Sequence, residues 1–198
     1  MTPSATEPPS APDFYPPYTL PAAWHGPSAK PLEIDVGCHK GLFLVEMAQA
    51  HPQHNILGIE RQAKRVMKTG KKIKALQLDN ADVTQGDGQG VLDQLPEACA
   101  DYVHVLFPDP WPKRRHWDRR LVQDPFFKSC ARVLKPGATL RIVTDHRDYW
   151  ASISECIQGL GDFAPIESRE LRVYPETEFQ KKFLAVGAPI YEIELQKR

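Results

Sequence analysis

From Lys30 onward the chain alternates short apolar runs with helical patterns, and this alternation constrains the fold more than any other feature. Apolar runs at 32–36, 55–59, 82–85, 101–107 and 140–144 read as strands. Residues 42–50, 61–74, 88–95, 124–134 and 146–159 carry the spacing of helices. The 124–134 helix opens on Asp124-Pro125, an N-cap carboxylate followed by a first-turn proline, and Lys135-Pro136-Gly137 stops it. Strands that alternate with helices build a parallel sheet with helices on both faces. Near-continuous apolar runs fit strands buried on both sides. Tyr191, Ile193 and Leu195 alternate with Glu192, Glu194 and Gln196, so the last strand is expected to be half exposed, antiparallel and near an edge. The fold class is α/β, a mostly parallel sheet with an antiparallel C-terminal strand.

A length of 198 residues suits one domain. Lys+Arg and Asp+Glu number 25 each, so any nucleic-acid site must be local and not a blanket basic coat. Cys38, Cys99, Cys130 and Cys156 are scattered without a C-x-x-C, which reads as reduced thiols in a cytoplasmic protein with neither a disulfide frame nor a metal site. No run approaches the roughly 18 apolar residues of a membrane span. Eight of the 19 prolines fall in the first 30 residues, where no Lys or Arg precedes Lys30. That composition is neither a secretory signal nor a transit peptide. Residues 1–20 are expected as a disordered Pro-rich tail and 21–198 as a single domain. Phe14, Tyr15, Tyr18, Leu20 and Trp24 are apolar enough for the end of the tail to cap the core.

Ligands of such sheets lie beyond the carboxyl ends of the strands. All five predicted strands end at or next to a carboxylate: Asp35, Glu60, Asp87, Asp109 and Asp145. Any one of them could cap a helix or sit in a solvated turn, but five together mark a site. Gly37 and Gly41 follow the first strand, where glycine lets backbone approach a ligand, although His39 stands where a full G-x-G-x-x-G has glycine. Glu60 lies 19 residues past Gly41, the spacing of an acid that takes a ribose diol. So many acids disfavour a pyrophosphate dinucleotide. They suit a cofactor with a ribose, an ammonium and a sulfonium, S-adenosyl-L-methionine. In that reading Asp35 accepts from the ammonium, Glu60 from the ribose and Asp87 from the adenine amino group, and Asp109 stands nearest the sulfonium. Lys113, Arg114, Arg115, His116, Arg119 and Arg120 then form a basic cluster suited to RNA phosphates. Arg61, Lys64, Arg65, Lys68, Lys71, Lys72 and Lys74 cover most of the polar helix, as a solvated face or a second RNA contact.

At Phe107-Pro108-Asp109-Pro110-Trp111-Pro112-Lys113-Arg114-Arg115-His116 the chain resembles the bacterial-type tRNA (guanine-N7)-methyltransferase family. The resemblance covers about 31–196 in one register, with Gly58-Ile59-Glu60, Gly86-Asp87, Thr144-Asp145 and Thr177-Glu178-Phe179-Gln180 in place. It implies a class I, Rossmann-like S-adenosylmethionine-dependent methyltransferase fold and a tRNA variable-loop guanine as substrate. It implies Asp35, Gly37, Gly41, Glu60, Asp87 and Asp109 at the cofactor, with Asp109 catalytic. Lys113, Asp145, Thr177, Glu178, Phe179 and Gln180 would meet the substrate, and Arg115, His116, Arg119 and Arg120 the RNA. Three positions depart from the family pattern: Asp35 for Glu, His39 for a loop glycine, and Gln180 for Glu.

Guanine N7 carries a lone pair and no proton, so methyl transfer to it needs positioning and charge stabilisation, not a general base. The expected enzyme is a monomer or homodimer acting on tRNA, with no DNA or membrane partner. Two other classes compete: a small-molecule or protein methyltransferase of the same fold, and a non-catalytic RNA-binding module on a degenerate one.

Overall fold

A computed structural model describes residues 15–24, 26, 28–166, 172 and 174–198. Its strands are β1 (Leu32–Val36), β2 (Asn55–Glu60), β3 (Ala81–Gln85), β4 (Ala100–Leu106), β5 (Leu134–Thr144), β6 (Phe163–Pro165) and β7 (Tyr191–Lys197). Its helices are α1 (Leu42–Ala50), α2 (Ala63–Ala75), α3 (Gly88–Gln94), α4 (Asp124–Val133), α5 (Arg147–Gln158) and α6 (Glu178–Ala185). The strands form one sheet in the order β3-β2-β1-β4-β5-β7-β6, parallel from β3 through β5. β7 runs antiparallel to both β5 and β6. The chain winds outward from β1 to β3, then crosses back to β4 on the other side of β1. Loops leaving the ends of β1 and β4 therefore diverge, and a crevice opens there.

Helices cover both faces. On one, Phe126, Phe127 and Tyr149 from α4 and α5 pack with Leu92, Ile34 and Val103. On the other, Leu44 and Met47 from α1 pack with Ile56 and Ile73. Every residue of β1 is buried, including Glu33 and Asp35, so a central strand carries two carboxylates away from bulk water. Among the described residues no helix is long and apolar enough to cross a membrane.

Some local expectations change and others are met. β5 begins at Leu134, not near 140, because Leu134 pairs with Ala100 before a register shift. Lys135-Pro136-Gly137 is thus a bulged stretch of strand; Pro136 and Gly137 are exposed, so the proline's missing N–H costs little. Gln123, not Asp124, stands at the N-cap of α4, and Asp124 lies in the first turn, where a carboxylate favours the helix dipole. β7 is next to the edge; three-residue β6 forms the edge and is too short to show a period. Tyr18 and Leu20, at the end of the tail expected to cap the core, are packed on the domain as that reading expects. The Tyr18 hydroxyl donates to Asp82 Oδ2 at 2.9 Å, and Leu20 is 3% exposed. Trp24 is buried as well. Residues 1–14, including Phe14, lie outside the described residues.

Candidate active site

The chain leaves β1 through Gly37 (φ 83°), and the amides of Gly37 and Cys38 both donate to the Ile59 carbonyl, at 2.8 and 2.9 Å. This ties the glycine loop to β2. Gly41 (φ 64°) has no room for a side chain, since a Cβ would lie 2.3 Å from Thr69 Cγ2. His39 adopts φ 51° where the full pattern has glycine, and its ring packs edge-on against Phe179 at 5.2 Å.

The crevice is a cavity of about 610 Å³, within the range of small-molecule sites. Asp35, Gly37, Glu60, Asp87 and Asp109 all line it, so five of the six expected cofactor residues meet there. Gly41 does not line it; it shapes the turn. Thr177, Glu178 and Phe179 line the same cavity, and Lys113, Asp145 and Gln180 do not.

The carboxylates differ. Asp35 is 3% exposed, and its Oδ2 has no hydrogen-bond partner among the described residues. Burial pushes its carboxyl up to about 7, helped by the Glu60 charge and opposed by Arg141. A buried acceptor of this kind suits a cationic donor. Glu60 is also buried, with Oε1 accepting from the Gln62 amide at 2.7 Å and Oε2 from Arg65 at 3.4 Å. Each oxygen keeps lone-pair capacity for a diol. Asp87 caps α3, its Oδ1 accepting from the Gly90 amide at 3.3 Å. Asp109 is exposed on the loop after β4.

That loop is held from several sides. Phe107 (φ 53°) and Trp111 (φ 42°) take left-handed backbone at its two ends, the kind of strain that persists only where surroundings impose it. The Arg120 Nε–H donates to the Pro110 carbonyl at 2.8 Å. The Arg120 guanidinium lies 4.4 Å from the Trp117 ring centroid and 4.7 Å from that of Tyr149. Arg120, expected as a phosphate contact, is 4% exposed and anchors the loop from below, yet it also lines the cavity, and its Nη1 and Nη2 have no hydrogen-bond partner among the described residues. Arg119 lies over Trp111 at 5.2 Å and lines the cavity. Arg115 is exposed and His116 half-buried against Trp111, and neither lines the cavity.

The Thr177 hydroxyl caps α6 by accepting from the Gln180 amide at 3.0 Å. Phe179 then reaches His39 on one side and Phe107 on the other, joining the glycine loop to the β4 loop. Upstream, Arg172 donates to Glu33 at 2.8 Å, and the Tyr174 hydroxyl to Glu194 at 2.9 Å. Arg141 lies 4.0 Å from the Tyr174 ring centroid. Burial works to raise the Glu33 carboxyl, but hydrogen bonds from His104 and Arg172 hold it down at about 2. This network holds Arg172 and Tyr174, which precede Thr177 in the chain. Sequence reasoning missed it, although a second carboxylate, Glu33, within the same buried strand as Asp35 was the available signal.

A family model described as "Putative methyltransferase" matches residues 29–193. A tRNA (guanine-N(7)-)-methyltransferase of Limosilactobacillus fermentum is 32% identical over 189 residues, covering 90% of this chain and 86% of its own. One of Lactiplantibacillus plantarum is 35% identical over 187 residues, covering 89% and 86%. A SAM-dependent methyltransferase from Aquifex aeolicus shares the fold, with a TM-score of 0.52 at 17% identity over 85% of this chain and 84% of that one. With four of the five strand-end carboxylates gathered in one cavity beside the loop at 107–113, and with relatives this similar over nearly the whole chain, the protein belongs to the tRNA (guanine-N(7)-)-methyltransferase family.

Proposed function

We propose that the chain methylates N7 of a guanine in tRNA, with S-adenosylmethionine held in the 610 Å³ cavity. The observation that carries this reading is the buried Asp35, whose Oδ2 lacks a partner among the described residues, in a cavity also lined by Glu60, Asp87 and Asp109. Asp35 would take the ammonium, Glu60 the ribose diol and Asp87 the adenine amino group through the oxygen not used in capping. When bound, S-adenosylmethionine supplies a methyl group activated by a positively charged sulfur. Asp109, on a loop fixed by Arg120 and three prolines, would orient the guanine and stabilise the positive charge that grows on its ring. No residue needs to remove a proton. Thr177, Glu178 and Phe179 close the substrate side. Arg115 and Arg119, exposed beside this loop, would meet phosphates. The cytoplasm, where tRNA is processed, is the compartment this reading implies.

The direct test incubates tRNA with the enzyme and cofactor, digests it to nucleosides and measures 7-methylguanosine by mass spectrometry. Appearance of that nucleoside at one position supports the reading, and its absence with cofactor bound refutes it. A second expectation concerns the cofactor alone. Glu60→Ala should weaken S-adenosylmethionine binding by about 1.5–3 kcal/mol, the worth of charge-assisted hydrogen bonds. Unchanged affinity in a calorimetric titration would remove Glu60 from the ribose.

A further inference from the structure

Helix α2 carries six cations (Lys64, Arg65, Lys68, Lys71, Lys72 and Lys74) and no carboxylate in 13 residues, although the chain as a whole is neutral. Two features separate this from a solvated face. Lys64 and Arg65 stand in the first turn, where cations oppose the helix dipole, and no acid accompanies them there. Lys64, Lys68 and Lys72 follow one another at i, i+4, a row of like charges whose members repel. Both arrangements disfavour the isolated helix and are relieved by an anion.

The row also forms one wall of a groove. This second cavity, about 380 Å³, is lined by Lys40, Lys64, Arg65, Lys68 and Lys72 with His39 and Gln62. No carboxylate lines it. Lys40 is paired to Glu178 at 2.9 Å and Arg65 to Glu60 at 3.4 Å, while Lys64 and Lys68 are exposed with no acidic partner among the described residues. His39, Lys40, Gln62 and Arg65 line both this groove and the cofactor cavity, so the two are continuous.

We infer that this groove binds backbone phosphates of the tRNA next to the target guanine, on the side of the cavity opposite the loop after β4. The inference rests on the proposed tRNA substrate. A strand whose base enters the cavity passes its neighbouring phosphates along the shared rim, and Lys64 and Lys68 neutralise them. The RNA is then gripped from two sides, by Arg115 and Arg119 on one and α2 on the other.

The experiment compares two double variants of the full chain. Lys64→Gln/Lys68→Gln removes two charges from the groove. Lys71→Gln/Lys74→Gln removes two from exposed positions of the same helix that do not line it. Glutamine keeps helix propensity close to that of lysine. Binding of one tRNA transcript is titrated across salt concentrations, with the cofactor affinity of each variant as a control. The groove pair should weaken tRNA binding at least about tenfold near 0.1 M salt and flatten the salt slope by about 1.5, two contacts at 0.7–0.9 each. The control pair should change the slope by much less, and cofactor affinity should hold in both. Equal losses in both pairs would show diffuse attraction and overturn the groove, as would a parent slope in the groove pair. If the parent itself neither binds nor methylates tRNA, the proposed substrate falls and the groove with it. If the parent methylates tRNA and the groove pair behaves as parent, only the groove falls.

Discussion

Asp109→Ala should lower the rate of methyl transfer by about 10²–10³-fold, the cost of removing one preorganised electrostatic partner of a transition state. Stability should change little, within about 0.5 kcal/mol, because Asp109 is exposed on its loop. The loop does not depend on that side chain. Pro108, Pro110 and Pro112 restrict its backbone, the Phe107 amide donates to the Val143 carbonyl at 2.8 Å, and Arg120 holds the Pro110 carbonyl. Asp109→Asn should fall between parent and alanine, since it keeps an acceptor but not the charge. Single-turnover kinetics with saturating cofactor separates chemistry from binding. A folded alanine variant that turns over at the parent rate would place the reaction centre elsewhere.

The second large effect belongs to Asp35. Its carboxyl, pushed up to about 7 chiefly by burial, has a folded-state value above the unfolded one near 3.8. In the free protein its contribution to stability is therefore fully present below about 3.8 and is lost as pH rises through about 7. A difference of about three units corresponds to a cost of at most about 4 kcal/mol at pH 8 for holding the buried charge. Asp35→Asn removes that charge, so the free variant should melt several degrees above the parent at pH 8 and show no gain at pH 4. The same substitution removes the partner of the cofactor ammonium, and affinity should fall about a hundredfold or more. The parent should lose affinity roughly tenfold per pH unit below 7, as Asp35 protonates. Above that, binding and ionisation no longer compete. Thermal melts across pH and calorimetry in two buffers of different ionisation heat measure both effects. Cofactor affinity that stays flat from pH 5.5 to 8 would rule out Asp35 as the ammonium partner.

Much of this site was readable before any coordinates. Periodicity is a local property, so α1, expected at 42–50, appears as Leu42–Ala50, and 88–95 as Gly88–Gln94. Alternation of strand and helix then dictates parallel strands, and parallel strands put every following loop at one end of the sheet. Asp35, Glu60, Asp87 and Asp109 therefore converge by topology alone, whatever the details of packing. The antiparallel β7 was legible for the same reason, since its half-exposed alternation cannot belong to a strand covered on both faces.

What packing decided lay outside reach of any local pattern. Arg120 resembles its basic neighbours in the sequence, yet it is buried because Tyr149, 29 residues away on α5, offers a ring beneath it. Gln180 belongs to the Thr177–Gln180 motif, but it supplies a backbone amide to the Thr177 cap and lies outside the cavity. Arg172 and Glu33 are 139 residues apart, and only the folded sheet brings that charge pair together. The lysines of α2 are nearly alike in sequence, and the rotation of the helix against β3 selects Lys64, Lys68 and Lys72 for the groove while Lys71 and Lys74 lie outside it. Sequence by itself determined which chemistry collects at the strand ends, because backbone direction carries it. Only the tertiary structure decided which charges are buried, paired or left facing a ligand, because desolvation and pairing depend on neighbours that arrive from distant parts of the chain.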